Sequence, residues 1–228
     1  MWQSVIAELP HRRTVTYDMI GHGHASRPPG PYALDTFVDQ LAQIVNVLDT
    51  DVDLVGFSMG ALVAQGCALT TAGARIRRMV LLNGVHHRTT AERQSIVDRV
   101  AEVRAGGFAA SVEPALQRWF TPVFAAARPD VVQMVRQRLL ANDQRAYADA
   151  YEVFATADAA LVGRSAEIVV PTLVATGGDD QRSTPEMAEA LAAAIPDGCV
   201  SILPGLRHLA PLEAPAVIAN LIDEFTAQ

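Results

Sequence analysis

Residues 56–60 read Gly-Phe-Ser-Met-Gly, between a short apolar run at 52–55 and a small-residue stretch of helical character at 61–69. A strand that turns this abruptly into a helix leaves little room for side chains, so glycines on both sides of the serine serve the turn. The geometry lifts the serine clear of the strand ends and leaves its hydroxyl at a helix N-terminus. There the backbone N–H of Met59 can stabilise negative charge on a nearby oxygen. The plain alternative is a glycine-rich turn with an incidental serine. Only partners for the hydroxyl, found elsewhere in the chain, separate the two readings.

The neighbouring segments extend the pattern. Residues 1–9 read as a helix and 14–19 as a strand, followed by a loop at 20–31 rich in Gly, Pro and His. Leu34, Phe37, Val38, Leu41, Ile44, Val45 and Leu48 recur at helical spacing. Strands at 52–55 and 79–83 bracket a helix at 61–71. Strands alternating with helices at this spacing predict an α/β architecture, a mostly parallel sheet flanked by helices on both faces. Between about 86 and 165 the alternation stops, and helical patterns at 91–103, 112–120, 130–140 and 145–154 follow one another without a strand. It resumes with a strand at 170–176, a helix at 185–194, a strand at 200–203 and a helix at 211–225. The chain therefore reads as one folding unit, with a core of residues 1–85 and 166–228 and a helical cap of 86–165 inserted above one sheet edge.

Six of the 13 aromatic residues fall between 112 and 154. Trp119, Phe120, Phe124, Tyr147 and Tyr151 form the predicted roof of an apolar pocket, with Tyr147, Tyr151 and Phe154 on one helix face. Ordinary packing within the cap is the competing reading of each residue.

Composition narrows the chemistry. With 228 residues, half of them hydrophobic, the chain can bury a sizeable core. No run of 18 apolar residues suggests a membrane span, and the first ten residues lack the basic start of a signal peptide. A net charge of −7 without a basic stripe argues against nucleic acid as a partner. All 18 basic residues are arginine, which excludes lysine Schiff bases and a phosphate-loop lysine. Gly21-His22-Gly23 lacks the third glycine of a dinucleotide loop, where Ser26 stands. His86 and His87 are adjacent, so their side chains diverge, and no ligand at suitable spacing completes a metal site. Cys67 and Cys199 lie far apart and read as buried thiols in a reducing, cytoplasmic setting.

A serine hydroxyl needs a base to take its proton and an acid to orient that base. Among the six histidines, only His208 follows the final strand and so can reach back over the C-terminal edge of the sheet. For the acid, Asp179 and Asp180 directly follow the strand at 170–176. Asp180 is preferred, because Asp179 better serves the turn. The resulting chain order is Ser58, Asp180, His208.

With these residues in place, the sequence resembles the α/β-hydrolase superfamily. The match is carried by residues 18–26, the elbow at 56–60, Gly177-Gly178-Asp179-Asp180 with Thr184-Pro185, and Arg207-His208 followed by Glu213-Ala214-Pro215. Together they cover nearly the whole chain. Arg118-Trp119-Phe120-Thr121-Pro122, with Tyr147 and Tyr151, is most similar to the group containing 3-oxoadipate enol-lactone hydrolases and related carboxylesterases. The resemblance implies a cofactor-free serine hydrolase for a small ester or lactone, with acylation of Ser58 and His208 as base and then acid. Other chemistry on the same fold, carbon–carbon bond hydrolysis or haloperoxidation, is the alternative, as is a silent homologue. Members normally begin with two or three further strands, the third bearing a His-Gly turn that leads to a second oxyanion donor. Here the chain opens, with Trp2, on what would be the next helix, which implies a truncated fold with Met59 as the one identified donor. An exposed sheet edge would then favour self-association.

Overall fold

The computed structural model describes residues 1–227. Eleven α-helices and four strands follow in the order α1 (Gln3–Ala7), α2 (Leu34–Val47), β1 (Val52–Phe57), α3 (Met59–Ala68), β2 (Ile76–Leu82), α4 (Thr90–Glu102), α5 (Phe108–Trp119), α6 (Pro122–Ala127), α7 (Pro129–Leu140), α8 (Gln144–Leu161), β3 (Thr172–Gly177), α9 (Pro185–Ala194), β4 (Gly198–Leu203), α10 (Ala210–Glu213) and α11 (Pro215–Thr226). The strands form one parallel sheet in the order β1-β2-β3-β4. This is the α/β-hydrolase fold.

Strand periodicity sorts the core into two layers. Met79 and Leu81 of β2 face a cluster that includes Phe37 and Leu41 of α2, Leu62 of α3 and Leu191 of α9. The alternate residues Val80 and Leu82 face the opposite layer, with Val5 of α1 and Ile218 and Ile222 of α11. Burying both faces requires the near-continuous apolar runs that β2 and β3 show. All the strands therefore end on the same edge of the sheet, where a loop or helix start can carry a functional side chain.

Two expectations need correction here. Residues 14–19 are not a strand, although Tyr17 and Met19 pack on the core. β1 pairs with β2 on one side alone, and the space on its other side opens into a cavity walled by both Thr16–Met19 and Leu54–Phe57 residues. An extended segment without an adjacent partner forms no ladder, whatever its propensity. Cys199 is exposed whereas Cys67 is buried, because β4 is the outermost strand and carries exposed positions. Two smaller differences have local causes. The helix expected at 211–225 breaks at Ala214, ahead of Pro215. The short helix α6 starts at Pro122 under a Thr121 cap, with the Phe124 N–H donating to Thr121 Oγ1.

Candidate active site

Ser58 forms the turn between β1 and α3, with φ 54° and ψ −117°, a conformation costly for any residue bearing a Cβ. Strand end and helix start approach so closely that a Cβ on Gly56 would collide with the Gly60 carbonyl group, whose carbon would lie 2.8 Å away. A Cβ on Gly60 would meet open space, so clearance demands glycine at position 56 alone. The Ser58 N–H donates to the Leu82 carbonyl at 2.9 Å, which ties the turn to β2. Met59 is the first residue of α3. Its N–H lies ahead of the helical ladder and is open to an oxyanion.

His208 sits in the connection from β4 to α10. The loop is held against the end of α5 by Arg207 Nη1, which donates to the carbonyls of Gln117 and Phe120 at 2.8 and 3.0 Å. The Leu209 N–H adds a bond to the Trp119 carbonyl at 3.0 Å. His208 Nε2 lies 3.0 Å from Ser58 Oγ, and its Nδ1 lies 2.7 Å from Asp180 Oδ2. Against an ionised, acceptor-only carboxylate, Nδ1–H donates, which leaves Nε2 to accept from the serine. The Phe57 and Trp119 rings flank the imidazole at 5.2 and 6.1 Å between centroids.

Asp180 is buried, whereas Asp179 is exposed. Asp180 Oδ1 accepts the Arg182 and Ser183 N–H groups at 3.0 and 3.1 Å. Burial alone would raise its pKa. The hydrogen bond and charge of His208, with the Arg182 N–H and the Asn83 amide, outweigh burial and hold the carboxyl below its ordinary value.

Asn83 was invisible to sequence reasoning. It follows β2 directly, is fully buried at φ 47°, and donates from Nδ2 to Asp180 Oδ2 at 2.9 Å and to Thr176 Oγ1 at 3.2 Å. Its own N–H donates to the Ala175 carbonyl at 2.8 Å. The available signal was an amide side chain closing an apolar strand on the edge where Ser58 and Asp180 also lie.

A cavity of about 920 Å³ opens beside Ser58 and His208. Trp119, Tyr147, Tyr151 and Phe154 line it. Phe120 and Phe124 do not. They stack on each other at 5.4 Å and pack with residues of α5 and α7 instead. Burial pushes the Tyr147 hydroxyl pKa well above its ordinary value, so it remains a neutral donor. Among the described residues, no group of three or more His, Cys, Asp or Glu could hold a metal ion.

Comparison with known proteins agrees with this fold. Residues 1–221 match the alpha/beta hydrolase family. The (E)-2-((N-methylformamido)methylene)succinate hydrolase of Acinetobacter baylyi is 31% identical, covering 90% of this chain and 76% of its own length. The 3-oxoadipate enol-lactonase 2 of the same organism is 28% identical, covering 98% and 82%. Among solved structures, the enol-lactonase from Burkholderia xenovorans superposes with a TM-score of 0.89 at 27% identity, covering 100% of this chain and 86% of that one. By family match, fold and relatives, the chain is a hydrolase and belongs to the alpha/beta hydrolase family.

Proposed function

We propose that the chain is a serine hydrolase that cleaves a small carboxylic ester or lactone through an acyl-enzyme on Ser58. The observation that carries this reading is the relay from Ser58 Oγ through His208 to Asp180, at 3.0 and 2.7 Å. Ser58 Oγ attacks the acyl carbon while His208 Nε2 takes the hydroxyl proton. The oxyanion is met by the Met59 N–H, and Asp180 stabilises the imidazolium. Collapse breaks the bond to the alkoxide, which leaves with the proton from His208. Water, deprotonated by the same nitrogen, then attacks the acyl-enzyme, and Ser58 Oγ departs with that proton. The enol-lactonase relatives support an ester or lactone as the substrate.

The reading needs no cofactor or metal, and the substrate is its one small-molecule partner. Two free thiols fit a reducing, cytoplasmic location. No helix among the described residues is long and apolar enough to cross a membrane. The test is labelling by a fluorophosphonate probe beside Ser58→Ala. Labelling of the wild type alone supports the reading, and an unlabelled wild type defeats it. Full ester turnover by His208→Gln would remove the assigned base.

A further inference from the structure

Four residues from three segments close a ring of hydrogen bonds around the Asp180 carboxylate. Asn83 Nδ2 donates to Thr176 Oγ1 at 3.2 Å, and the Thr176 hydroxyl donates to the Ser183 carbonyl at 2.6 Å. The Ser183 N–H donates to Asp180 Oδ1 at 3.1 Å, and Asp180 Oδ2 accepts from Asn83 Nδ2 at 2.9 Å. All four residues are buried. The ring joins the end of β2 to β3 and to the loop that leads into α9.

The protons in this ring have one arrangement. Thr176 has a single hydroxyl hydrogen, which points at Ser183, so toward Asn83 its oxygen can only accept. The Asp180 carboxylate and the Arg207 carbonyl, 3.4 Å from Nδ2, are acceptors as well. Three acceptors around one end of the amide require its NH2 there, and a reversed amide would set oxygen against oxygen. The other end goes without support, since Asn83 Oδ1 is buried and has no hydrogen-bond partner. An orphaned buried carbonyl costs stability, so stability alone would not select an amide here. Its use lies at Asp180. Oδ2 is the oxygen that faces His208 Nδ1. The Arg182 and Ser183 N–H groups hold Oδ1 alone, about which the carboxylate could still turn.

Taking the serine-hydrolase reading as its basis, we propose that Asn83 and Thr176 are positioning residues that act through Asp180 and hold its Oδ2 against His208. Asn83 pins the second carboxylate oxygen, and the Thr176 hydroxyl keeps the amide turned toward it. Oδ2 then stays within reach of Nδ1–H and keeps Nε2 directed at Ser58.

The test follows hydrolysis of 4-nitrophenyl acetate. Asn83→Gly suits φ 47° and removes the amide. It should lower kcat about ten- to a hundredfold, the weight of one hydrogen bond to a charged group, with KM little changed. Thr176→Val removes the hydroxyl at nearly constant shape and should lower kcat in the same sense. Thr176→Ser restores the hydroxyl and should recover most of that loss. Because the effect passes through Asp180, Asn83→Gly should have almost no further effect in an Asp180→Asn background. A structural role would move the thermal transition and leave the kcat of the folded protein alone. Wild-type kcat in folded Asn83→Gly therefore overturns the proposal. So does a full loss that survives in the Asp180→Asn background, or a Thr176→Ser as slow as Thr176→Val. If the wild type neither turns over the ester nor takes a fluorophosphonate label, the serine-hydrolase reading has failed and proton NMR judges the positioning. The His208 Nδ1–H, bonded to a carboxylate, resonates far downfield of the backbone amides, and its loss in His208→Gln identifies it. Asn83→Gly should move or broaden that resonance. An unmoved resonance, or its absence from the wild type, overturns the proposal.

Discussion

Two buried aspartates, Asp180 and Asp158, are 5% and 1% exposed and are provided for in opposite ways. Asp158 faces two guanidiniums. Arg93 Nη2 lies 3.3 Å from Oδ2, Arg88 Nη1 lies 3.4 Å from Oδ1, and the Arg88 backbone N–H donates at 3.0 Å. Arg88 also lies 4.2 Å above the Phe154 ring and donates to the Phe154 carbonyl. The cluster thus joins the segment after β2 to α4 and α8. Asp180, in contrast, is surrounded by neutral donors and one imidazole. A carboxylate neutralised by arginine has no charge left for a changing partner. One held by amides keeps its charge, as the proposed mechanism requires when His208 acquires a proton. Burial is common to both sites, and the partners separate a strut from an acid residue fit for chemistry.

Four measurements can break that contrast, and the largest effect sets the scale. In the proposed mechanism, Ser58→Ala should lower kcat about 10⁶-fold, in the range for loss of a triad nucleophile, with the thermal transition no lower than in the wild type. Asp180→Asn should cost about 10⁴-fold in kcat while the fold survives, because an amide cannot hold the imidazole in the productive tautomer. Asp158→Asn should act on stability instead. An urea titration should show a loss of about 3 to 5 kcal/mol, since Arg88 is left buried and uncompensated. If Asp158→Asn stopped turnover in a protein still fully folded, the division between strut and acid would fail.

The smallest effect is a pH dependence. The Asp180 carboxyl is held below its ordinary value, chiefly against the pull of burial and through the His208 bond. Its ionised form therefore contributes stability that is fully present above the unfolded carboxyl pKa, about 4, and is lost as the pH falls through the folded value. The unfolding free energy of the wild type minus that of Asp180→Asn should fall on acidification below about pH 4. A difference that grew instead would have the wrong sign for a depressed carboxyl.

The sequence disclosed most where a residue's role depends on local order along the chain. The elbow, the acid after β3 and the histidine after β4 need only the knowledge that parallel strands all end on one edge. Asn83 escaped because its role depends on β2 lying beside β3, a neighbourhood no local pattern records. Residues 14–19 were misread for a related reason, since a strand is a pairing and their composition describes one chain alone. Their place in an aromatic cluster predicts Phe120 and Phe124 on the cavity wall. Which side of α5 they occupy was decided by α7, a tertiary contact.

The backbone of Ser58 has a further implication. At φ 54° only glycine would lie at ease, so the most relaxed protein of this shape would be one with no hydroxyl at the turn. The ladder bond to Leu82 and the fully buried face of α3, Ala61, Leu62 and Ala64 among it, hold the serine where it would not otherwise stay. In the proposed mechanism, slack anywhere in that support would release the nucleophile before it unfolded the molecule. Loss of activity would then be the earliest sign of a loosening core.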